Sequence, residues 1–228
     1  MPFPSPADSG RGALARERML KAALDLFGRH GFEATTTRMI AQAASVNLGA
    51  IAYYFGSKDA LHAQAGGYLA SFIENEQRVP LHAFRTHVAQ TNHVPELIDL
   101  AADFLLAQAR LLFADHVPAS WIQFYLRSQA EHGVAFDRIF ARAVEPVQVC
   151  MTEVVARIMA LPVDDFRARA FAFVVVHQFV CLRLAESVLM RRLNWSVITA
   201  ERVEQLLAVI GPSLRAQLAS IAHTPYSS

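Results

Sequence analysis

Apolar residues recur at intervals of three and four along almost the whole of this 228-residue chain. That spacing places them on one face of an α-helix, as with Leu20, Leu24 and Phe27 near the N-terminus. The alternating β-branched residues and Asn-Gly turns that mark β-hairpins are missing from the sequence. We therefore predict an all-α protein.

Glycine, proline and capping residues divide this pattern into separate helices. Gly31 stops the first, Thr35 or Thr36 caps the second, Asn47 can cap the third, and the fourth ends before Pro80. The predicted helices cover residues 13–30, 37–44, 48–55, 58–78, 95–116, 119–130, 136–160 (kinked or split at Pro146), 165–192 and 199–221. Residues 1–12 are rich in Pro, Ser and Gly and lack the apolar core of a signal peptide, so we predict a disordered tail there.

Composition limits the possible partners. The formal net charge is only +1, so a DNA-binding surface must be a local basic or polar patch. The longest apolar run, residues 170–176, is far short of the roughly 18–20 residues that cross a bilayer. Cys150 and Cys181 form no CxxC motif and lie in apolar runs, as buried reduced cysteines do. These features predict a cytoplasmic protein without a membrane partner.

Two short helices joined by a tight turn, over residues 37–55, predict a helix-turn-helix unit. In the second helix, Ile51 and Phe55 are four apart and face the core, whereas Tyr53 and Tyr54 lie off that stripe. The glycine and alanines beside them are small and let the helix approach the major groove of DNA closely. Taken alone, the three consecutive aromatic residues also fit ordinary helix packing, but the surrounding motif favours DNA contact.

The stretch TTTRMIAQAASVNLGAIAYYFGSKDAL, residues 35–61, resembles the DNA-binding signature of the TetR family of bacterial transcription regulators. It has the Thr-Thr at the start of the second helix, an internal Ile-Ala, a recognition helix that closes with aromatic residues, and a Ser-Lys-x-x-Leu. The resemblance extends over residues 14–62. Two positions depart from the pattern. Ser45 replaces the usual turn glycine, at a cost of about 1 kcal/mol if its φ is positive, and Ala52 replaces a common phosphate contact.

The resemblance implies a role for each matched position. Thr36, Tyr54 and Lys58 would bind phosphate, and Lys58 also lies at a helix N-terminus, where backbone N–H groups favour an anion. Arg38 would reach a guanine edge, with a solvated surface arginine as the alternative. The residues implied to lie against bases are Asn47, Leu48, Gly49, Ala50 and Tyr53. Because several of these offer few hydrogen bonds, apolar contacts and DNA shape are expected to carry much of the readout.

The remainder of the chain resembles the family's larger helical domain for ligand binding and dimerisation. The stretches RIFARAVEPVQVCM, VVVHQFVCLRLAE and RRLNW, between Arg138 and Trp195, look similar to the CecR-like branch of the family. The helix over residues 170–184 is apolar nearly all round, which favours a dimer interface. The candidate ligand-pocket residues are Trp121, Phe124, Tyr125, His177, Gln178 and Arg183. The alternative is a simple core for the three aromatic residues and a core or dimer interface for His177 and Gln178. For Arg183 the alternative is an ion pair with a glutamate.

The predicted organisation is a tail (1–12), a helix-turn-helix DNA-binding domain (13–62) and a larger helical ligand-binding and dimerisation domain (63–228). The leading hypothesis is a homodimeric repressor bound to a double-stranded DNA operator. An unknown small-molecule effector would release it by changing the spacing of the two DNA-binding domains. The first rival is a helical sensor or adaptor that binds protein, which would lack the steep salt dependence of phosphate contacts.

The second rival is an enzyme with its site in the larger domain. The sequence contains no nucleophile elbow, no Gly-rich phosphate loop and no recognisable carboxylate pair. Of its nine histidines, none is four residues from another, and no Cys/His cluster has zinc spacing. His82, His87 and His93 flank a predicted loop and are expected on the surface. We therefore predict no catalytic residue, no cofactor and no metal.

Overall fold

The computed structural model describes residues 6–222, with side chains described from residue 12 onward, and every regular element in that range is helical. The prediction of an all-α protein is confirmed. The helices are α1 (Pro6–Ala34), α2 (Thr37–Ala43), α3 (Leu48–Phe55), α4 (Lys58–Gln90), α5 (Val94–Leu112), α6 (Ala119–Glu131), α7 (Val134–Ile139), a π-helical segment (Phe140–Val144), α8 (Glu145–Met159), α9 (Phe166–Leu184), α10 (Glu186–Arg192) and α11 (Ala200–Ile221).

These helices form two compact units. Within the described range, the first comprises residues 6–73 and 118–143, and the second comprises residues 74–117 and 144–222. The helix α4 contributes its first half to one unit and its second half to the other. The predicted division at residue 62 made the two domains consecutive segments, whereas in the structure α6 packs on α1 and α7 packs on α6 within the first unit.

Close contact between α1 and α6 explains why residues 118–143 belong to the first unit. A Cβ on Gly28 of α1 would lie 1.9 Å from the carbonyl oxygen of Ser120, so only glycine lets the two backbones approach so closely. Arg127 of α6 donates from Nε to the Gly28 carbonyl oxygen at 2.9 Å. The rings of Phe27 and Phe124 pack between the two helices, with centroids 6.4 Å apart.

The core of the second unit is formed by the apolar faces of α5, α8, α9 and α11. Phe84 from the end of α4 stacks on Phe104 of α5 with a centroid distance of 4.3 Å. The central buried residues include Leu97, Ala101, Leu105, Met151, Val155, Ala172, Val175, Phe179, Leu207 and Leu214. Burying these side chains supplies most of the free energy that holds the four helices together.

The prediction that α4 ends before Pro80 is wrong, because the helix continues to Gln90. Proline at this position lacks the N–H that would bond to the carbonyl four residues earlier, which normally weakens a helix. Burial of Phe84 and Val88 on the far side of the proline holds the helix in place. The predicted disordered tail also needs correction, because α1 begins at Pro6. Residues 1–5 lie outside the described range.

The predicted helix over residues 165–192 is broken. The helices α9 and α10 meet at Ala185 with a bend of 74°. At this bend Arg183 pairs with Glu186 and also donates from Nε to the Leu112 carbonyl oxygen at the end of α5, at 3.1 Å. In the described part of the chain no single helix is long and apolar enough to cross a membrane. The bent pair α9 and α10, taken together, has the length and composition that a membrane span needs.

Candidate nucleic-acid interface

Two neighbouring threonines fix the start of α2. Thr35 is fully buried, and its hydroxyl donates to the Gly31 carbonyl oxygen at 2.8 Å. Thr36 is exposed and is the N-cap, since its Oγ1 accepts from the Met39 amide at 3.2 Å. Of the two predicted caps, the structure therefore selects Thr36. Its hydroxyl proton is not used by the cap, so it can donate to a phosphate oxygen.

The turn between α2 and α3 is built by Ser45 and Asn47. Ser45 has φ of +54°, the left-handed conformation in which glycine is favoured. Asn47 caps α3 by accepting from the Ala50 amide through Oδ1 at 2.8 Å. The cap occupies the amide oxygen, so only the Nδ2 group of Asn47 is left to donate to a base edge.

The helix α3 has one buried face and one exposed face. Ile51 and Phe55 are buried as predicted. Tyr53 is 83% exposed and Leu48 is 52% exposed, and Gly49 is exposed beside them. Ala50 is half-buried. This face offers an apolar surface with one phenolic hydroxyl, which suits contact with thymine methyl groups more than multiple base hydrogen bonds.

The two tyrosines of α3 have different environments. Tyr53 projects from the helix, and its ring meets that of Tyr54 edge-to-face at 5.0 Å. Tyr54 is half-buried, and its hydroxyl would lie 3.0 Å from a Cβ placed on Gly12 of α1. Gly12 therefore leaves the space that the Tyr54 hydroxyl occupies. The position of Tyr54 is thus set by α1, whereas Tyr53 is held mainly by α3 itself.

Lys58 lies at the first position of α4, beside the exposed N-cap Ser57, whose Oγ accepts from the Ala60 amide at 3.0 Å. The Lys58 ammonium lies 4.2 Å from the centre of the Phe32 ring, a cation–π contact. This contact holds the charge at the helix N-terminus, where an anion such as phosphate is also favoured.

One exposed residue on this surface, Gln42, was not singled out from the sequence. Gln42 lies four residues after Arg38 on α2, and both side chains are exposed, so they share one helix face. Ala52 is exposed on α3 next to Tyr53. The spacing of four between Arg38 and Gln42 was the signal that would have identified Gln42. Asn and Gln side chains read adenine in the major groove, so Gln42 is a candidate base reader.

A polar network joins α1 to α4 behind this surface. The Tyr68 hydroxyl donates to Glu17 at 3.1 Å, and Lys21 pairs with the same carboxylate at 2.8 Å. The hydrogen bond from Lys21 lowers the pKa of Glu17, with a smaller contribution from Tyr68. Lys21 is therefore paired with a carboxylate, whereas Lys58 contacts an aromatic ring.

Two family models match the chain. The model for bacterial regulatory proteins of the tetR family matches residues 19–65. The model for the C-terminal domain of the HTH-type transcriptional dual regulator CecR matches residues 97–221, more than half of the chain. This chain belongs to the TetR family, in its CecR-like branch.

Relatives and solved structures agree with this family. The HTH-type transcriptional dual regulator CecR of Shigella flexneri is 26% identical over 208 residues, which cover 88% of this chain and 89% of that protein. Solved structures with a similar fold include a TetR-like transcriptional regulator from Rhodococcus sp. RHA1 (TM-score 0.58, 14% identity, 98% of this chain and 100% of that chain) and Mycobacterium smegmatis AmtR (TM-score 0.51, 23% identity, 90% and 86%). The protein is a DNA-binding transcriptional regulator, and the surface formed by α2, α3 and the start of α4 is its helix-turn-helix.

Three of the candidate ligand residues of this TetR-family protein lie in the first unit. Trp121 is buried and meets the Phe72 ring edge-to-face at 5.1 Å. Phe124 is buried against Phe27. Tyr125 is half-buried, and burial raises its pKa to about 12. Trp121 and Phe124 thus have the contacts of core residues, and a ligand role for this group stays a prediction.

The other three candidates lie in the second unit and already have protein partners. His177 stacks on Phe173 with centroids 4.1 Å apart, and its Nδ1 lies 3.1 Å from the Gln148 side-chain nitrogen. Gln178 donates to the Val175 carbonyl oxygen at 3.1 Å. Arg183 stabilises the end of α5, and burial lowers the pKa of its guanidinium. A ligand contact by any of these residues also stays a prediction.

In the described part of the chain, no three His, Cys, Asp or Glu side chains are placed to hold a metal ion.

Proposed function

We propose that this regulator is a homodimeric repressor that a small-molecule ligand releases from a double-stranded DNA operator in the cytoplasm. The observation that carries the proposal is the exposed face of α3, which is free of bulky charged side chains and ends beside Lys58. A dimer would present two such faces to the half-sites of one operator. Ligand release requires that the effector bind the DNA-incompetent state more tightly than the competent one.

The exposed apolar face of α9 supports the dimer. One side of this helix is buried in the second unit through Ala172, Val175 and Phe179. The opposite side exposes Phe166, which is 80% exposed, and Phe173 and Val174, which are each more than half exposed. Together with Leu184 and Val188 these side chains offer an exposed apolar surface that an interface between two copies would bury.

The proposal is tested by fluorescence anisotropy of the purified protein on duplexes tiled across its own upstream region, at two salt concentrations. Tight binding to one duplex that weakens as salt rises supports an operator bound through phosphates. Salt-sensitive binding spread evenly over all duplexes places the operator elsewhere in the genome. An absence of binding at low salt would contradict the function.

Two variants separate phosphate contact from base readout. Lys58→Ala should weaken binding to all sequences by a similar factor and reduce the salt slope by about one. Tyr53→Ala should change the ranking of operator variants, because it removes the most exposed side chain of α3. Lys21→Ala is the matched control, since it removes the chain's other lysine, which is already paired with Glu17. Equal affinities for Lys58→Ala and the wild type would exclude the phosphate contact.

A further inference from the structure

A cavity of about 670 Å³ lies within the second unit, where the start of α5 and the end of α8 face the C-terminal half of α11. This volume is within the range of small-molecule sites. Its apolar wall includes Val94 and Ile98 of α5, Ile158 of α8 and Ala216 of α11. None of the candidate ligand residues identified from the sequence lines it. Alanines along α11 leave the space open on that side.

Two arginines and the carboxylate of Asp99 line the cavity, and the arginines differ in how their charge is balanced. Arg215 donates from Nε to Asp99 at 2.9 Å and from Nη2 to Asp103, so two carboxylates surround it. Arg157 donates to the Val88 carbonyl oxygen at 2.9 Å, to the Thr91 carbonyl oxygen and to the Asn92 side-chain oxygen at 2.8 Å. All three acceptors of Arg157 are neutral.

Arg157 is therefore a fixed cation beside an apolar wall, and among the described residues it has no carboxylate partner. Its three hydrogen bonds, to the end of α4 and to the connection that follows it, hold the guanidinium in place, so a ligand would not have to order it. The acceptors use one hydrogen of Nη1 and the hydrogens of Nη2, which leaves N–H groups on Nε and Nη1 as donors. Charge-assisted hydrogen bonds from a guanidinium to a carboxylate are among the strongest in proteins.

We propose that this cavity binds an amphipathic monocarboxylate, with its carboxylate on Arg157 and its apolar body along α5 and α11. Charge complementarity selects the anionic head, because Arg157 is the lining charge that no acidic side chain neutralises. The apolar wall selects a hydrocarbon or aromatic body over a small polar acid. The role of such a ligand as the effector rests on the proposed function. Its binding to the protein is independent of that function.

Binding is tested by isothermal titration calorimetry of the full-length protein with octanoate at pH 7, with 1-octanol as the uncharged probe of equal length. We expect octanoate to bind and octanol to bind about tenfold more weakly or worse, because octanol lacks the charge-assisted contact. Octanol binding as tightly as octanoate, or no binding of octanoate by the wild type, would overturn the proposal.

Two alanine substitutions on α11 locate the site. Ala216→Phe places a bulky side chain at a lining position of the cavity, changes neither Arg157 nor its three acceptors, and should abolish octanoate binding. Ala208→Phe adds the same side chain at an exposed position of α11 outside the cavity and should leave binding unchanged. Equal affinity in the two variants would place octanoate elsewhere and overturn the proposal. Because both positions are adjacent to solvent or open space, the variants are expected to fold, which circular dichroism verifies.

The regulatory consequence has its own readout. Addition of octanoate to the complex with operator DNA, followed by anisotropy, measures whether the occupied cavity releases DNA. Suppose that octanoate binds, that Ala216→Phe blocks this binding, and that octanoate does not change the affinity for DNA. That result would support the site and contradict ligand release as part of the proposed function. Failure of octanoate to bind a protein that still binds its operator would overturn the site alone.

Discussion

At the scale of single residues, Ser45 is the position where the chain departs most clearly from local preference. Its φ of +54° costs a non-glycine residue about 1 kcal/mol or more. The turn forms anyway, because the cap of Asn47 and the burial of Ile51 fix both of its sides. The departure from the family's glycine therefore lowers stability without changing the fold.

Ser45→Gly is expected to raise the free energy of unfolding by about 1 kcal/mol. Urea denaturation of the variant and the wild type measures this difference. Ala43→Gly, at a neighbouring exposed position with helical backbone, is the control and should lower it by up to about 1 kcal/mol. A loss of stability in Ser45→Gly would mean that the serine side chain makes a stabilising contact.

His62 links the stability of the first unit to pH. Its ring packs on Phe27, Phe32 and Phe124 with centroid distances of 4.9, 5.1 and 4.9 Å. Burial lowers the pKa of His62 in the folded protein. Of the charged groups near it, Asp59 raises that pKa and Lys58 lowers it, and Glu131 lies 3.7 Å away. The unfolded chain, with an ordinary pKa near 6.5, thus binds the proton more readily.

The stability that neutral His62 contributes is therefore complete above pH 6.5 and is lost as pH falls from there through the folded pKa. We expect the melting temperature of the wild type to fall more steeply between pH 7 and pH 5 than that of His62→Phe, which keeps an aromatic ring and cannot titrate. Thermal melts at pH 5, 6 and 7 measure both slopes. Parallel slopes would show that the pKa of His62 is not lowered in the folded protein.

At the scale of helices, the close packing of α4 on α7 depends on one glycine of an adjacent pair. A Cβ on Gly66 would lie 2.7 Å from the Ala135 Cα and 2.8 Å from its carbonyl oxygen, whereas a Cβ on Gly67 would meet only the Arg138 side chain, at 3.5 Å. Both glycines lie inside α4, so alanine gains the same helix propensity at each. Comparing the two alanine variants therefore isolates the loss of stability that the steric clash at Gly66 causes.

Gly66→Ala should destabilise the protein by roughly 1–3 kcal/mol, because α4 and α7 must move apart. Gly67→Ala should be neutral or stabilise it by up to about 1 kcal/mol. Chemical denaturation measures both changes. Similar effects of the two substitutions would mean that α7 shifts at little cost and that the contact does not determine the packing of this unit.

The sequence predicted the structural features that depend on residues close together along the chain. The N-cap residue Asn47 and the buried positions Ile51 and Phe55 follow from capping preference and spacing, and the structure confirms them. For α2 the sequence left Thr35 and Thr36 open, and the structure selects Thr36. The packing of Tyr54 over Gly12 was not predictable, because it depends on how α1 lies beside α3.

Elements that depend on distant parts of the chain were predicted less well. The passage of α4 through Pro80 depends on the burial of Phe84 and Val88. The bend at Ala185 has no glycine or proline to mark it, and the contacts of Arg183 with the end of α5 accompany it. The inclusion of α6 in the first unit depends on a backbone contact at Gly28. Spacing along one segment contains none of this information.

At the scale of the whole molecule, the unusual composition of α9 has a consequence for assembly. A helix that is apolar all round is expected to be buried on all sides. In the second unit only one side is covered, and Phe173, Val174 and Leu184 are each more than half exposed. An apolar surface of this size on a single chain favours association, and a second copy covers it with the same residues when the interface has two-fold symmetry.

Phe173→Glu is therefore expected to convert the proposed dimer to a monomer of about 25.2 kDa, because it places a charge in the centre of the apolar face. Sedimentation velocity measures the mass, and Val79→Glu, at an exposed apolar position on α4, is the control that should stay dimeric. The monomer should also bind operator DNA much more weakly, since it contacts one half-site instead of two. A monomeric Phe173→Glu variant with unchanged operator affinity would mean that each protomer reads its half-site independently. A Phe173→Glu variant that stays dimeric would place the interface on another surface.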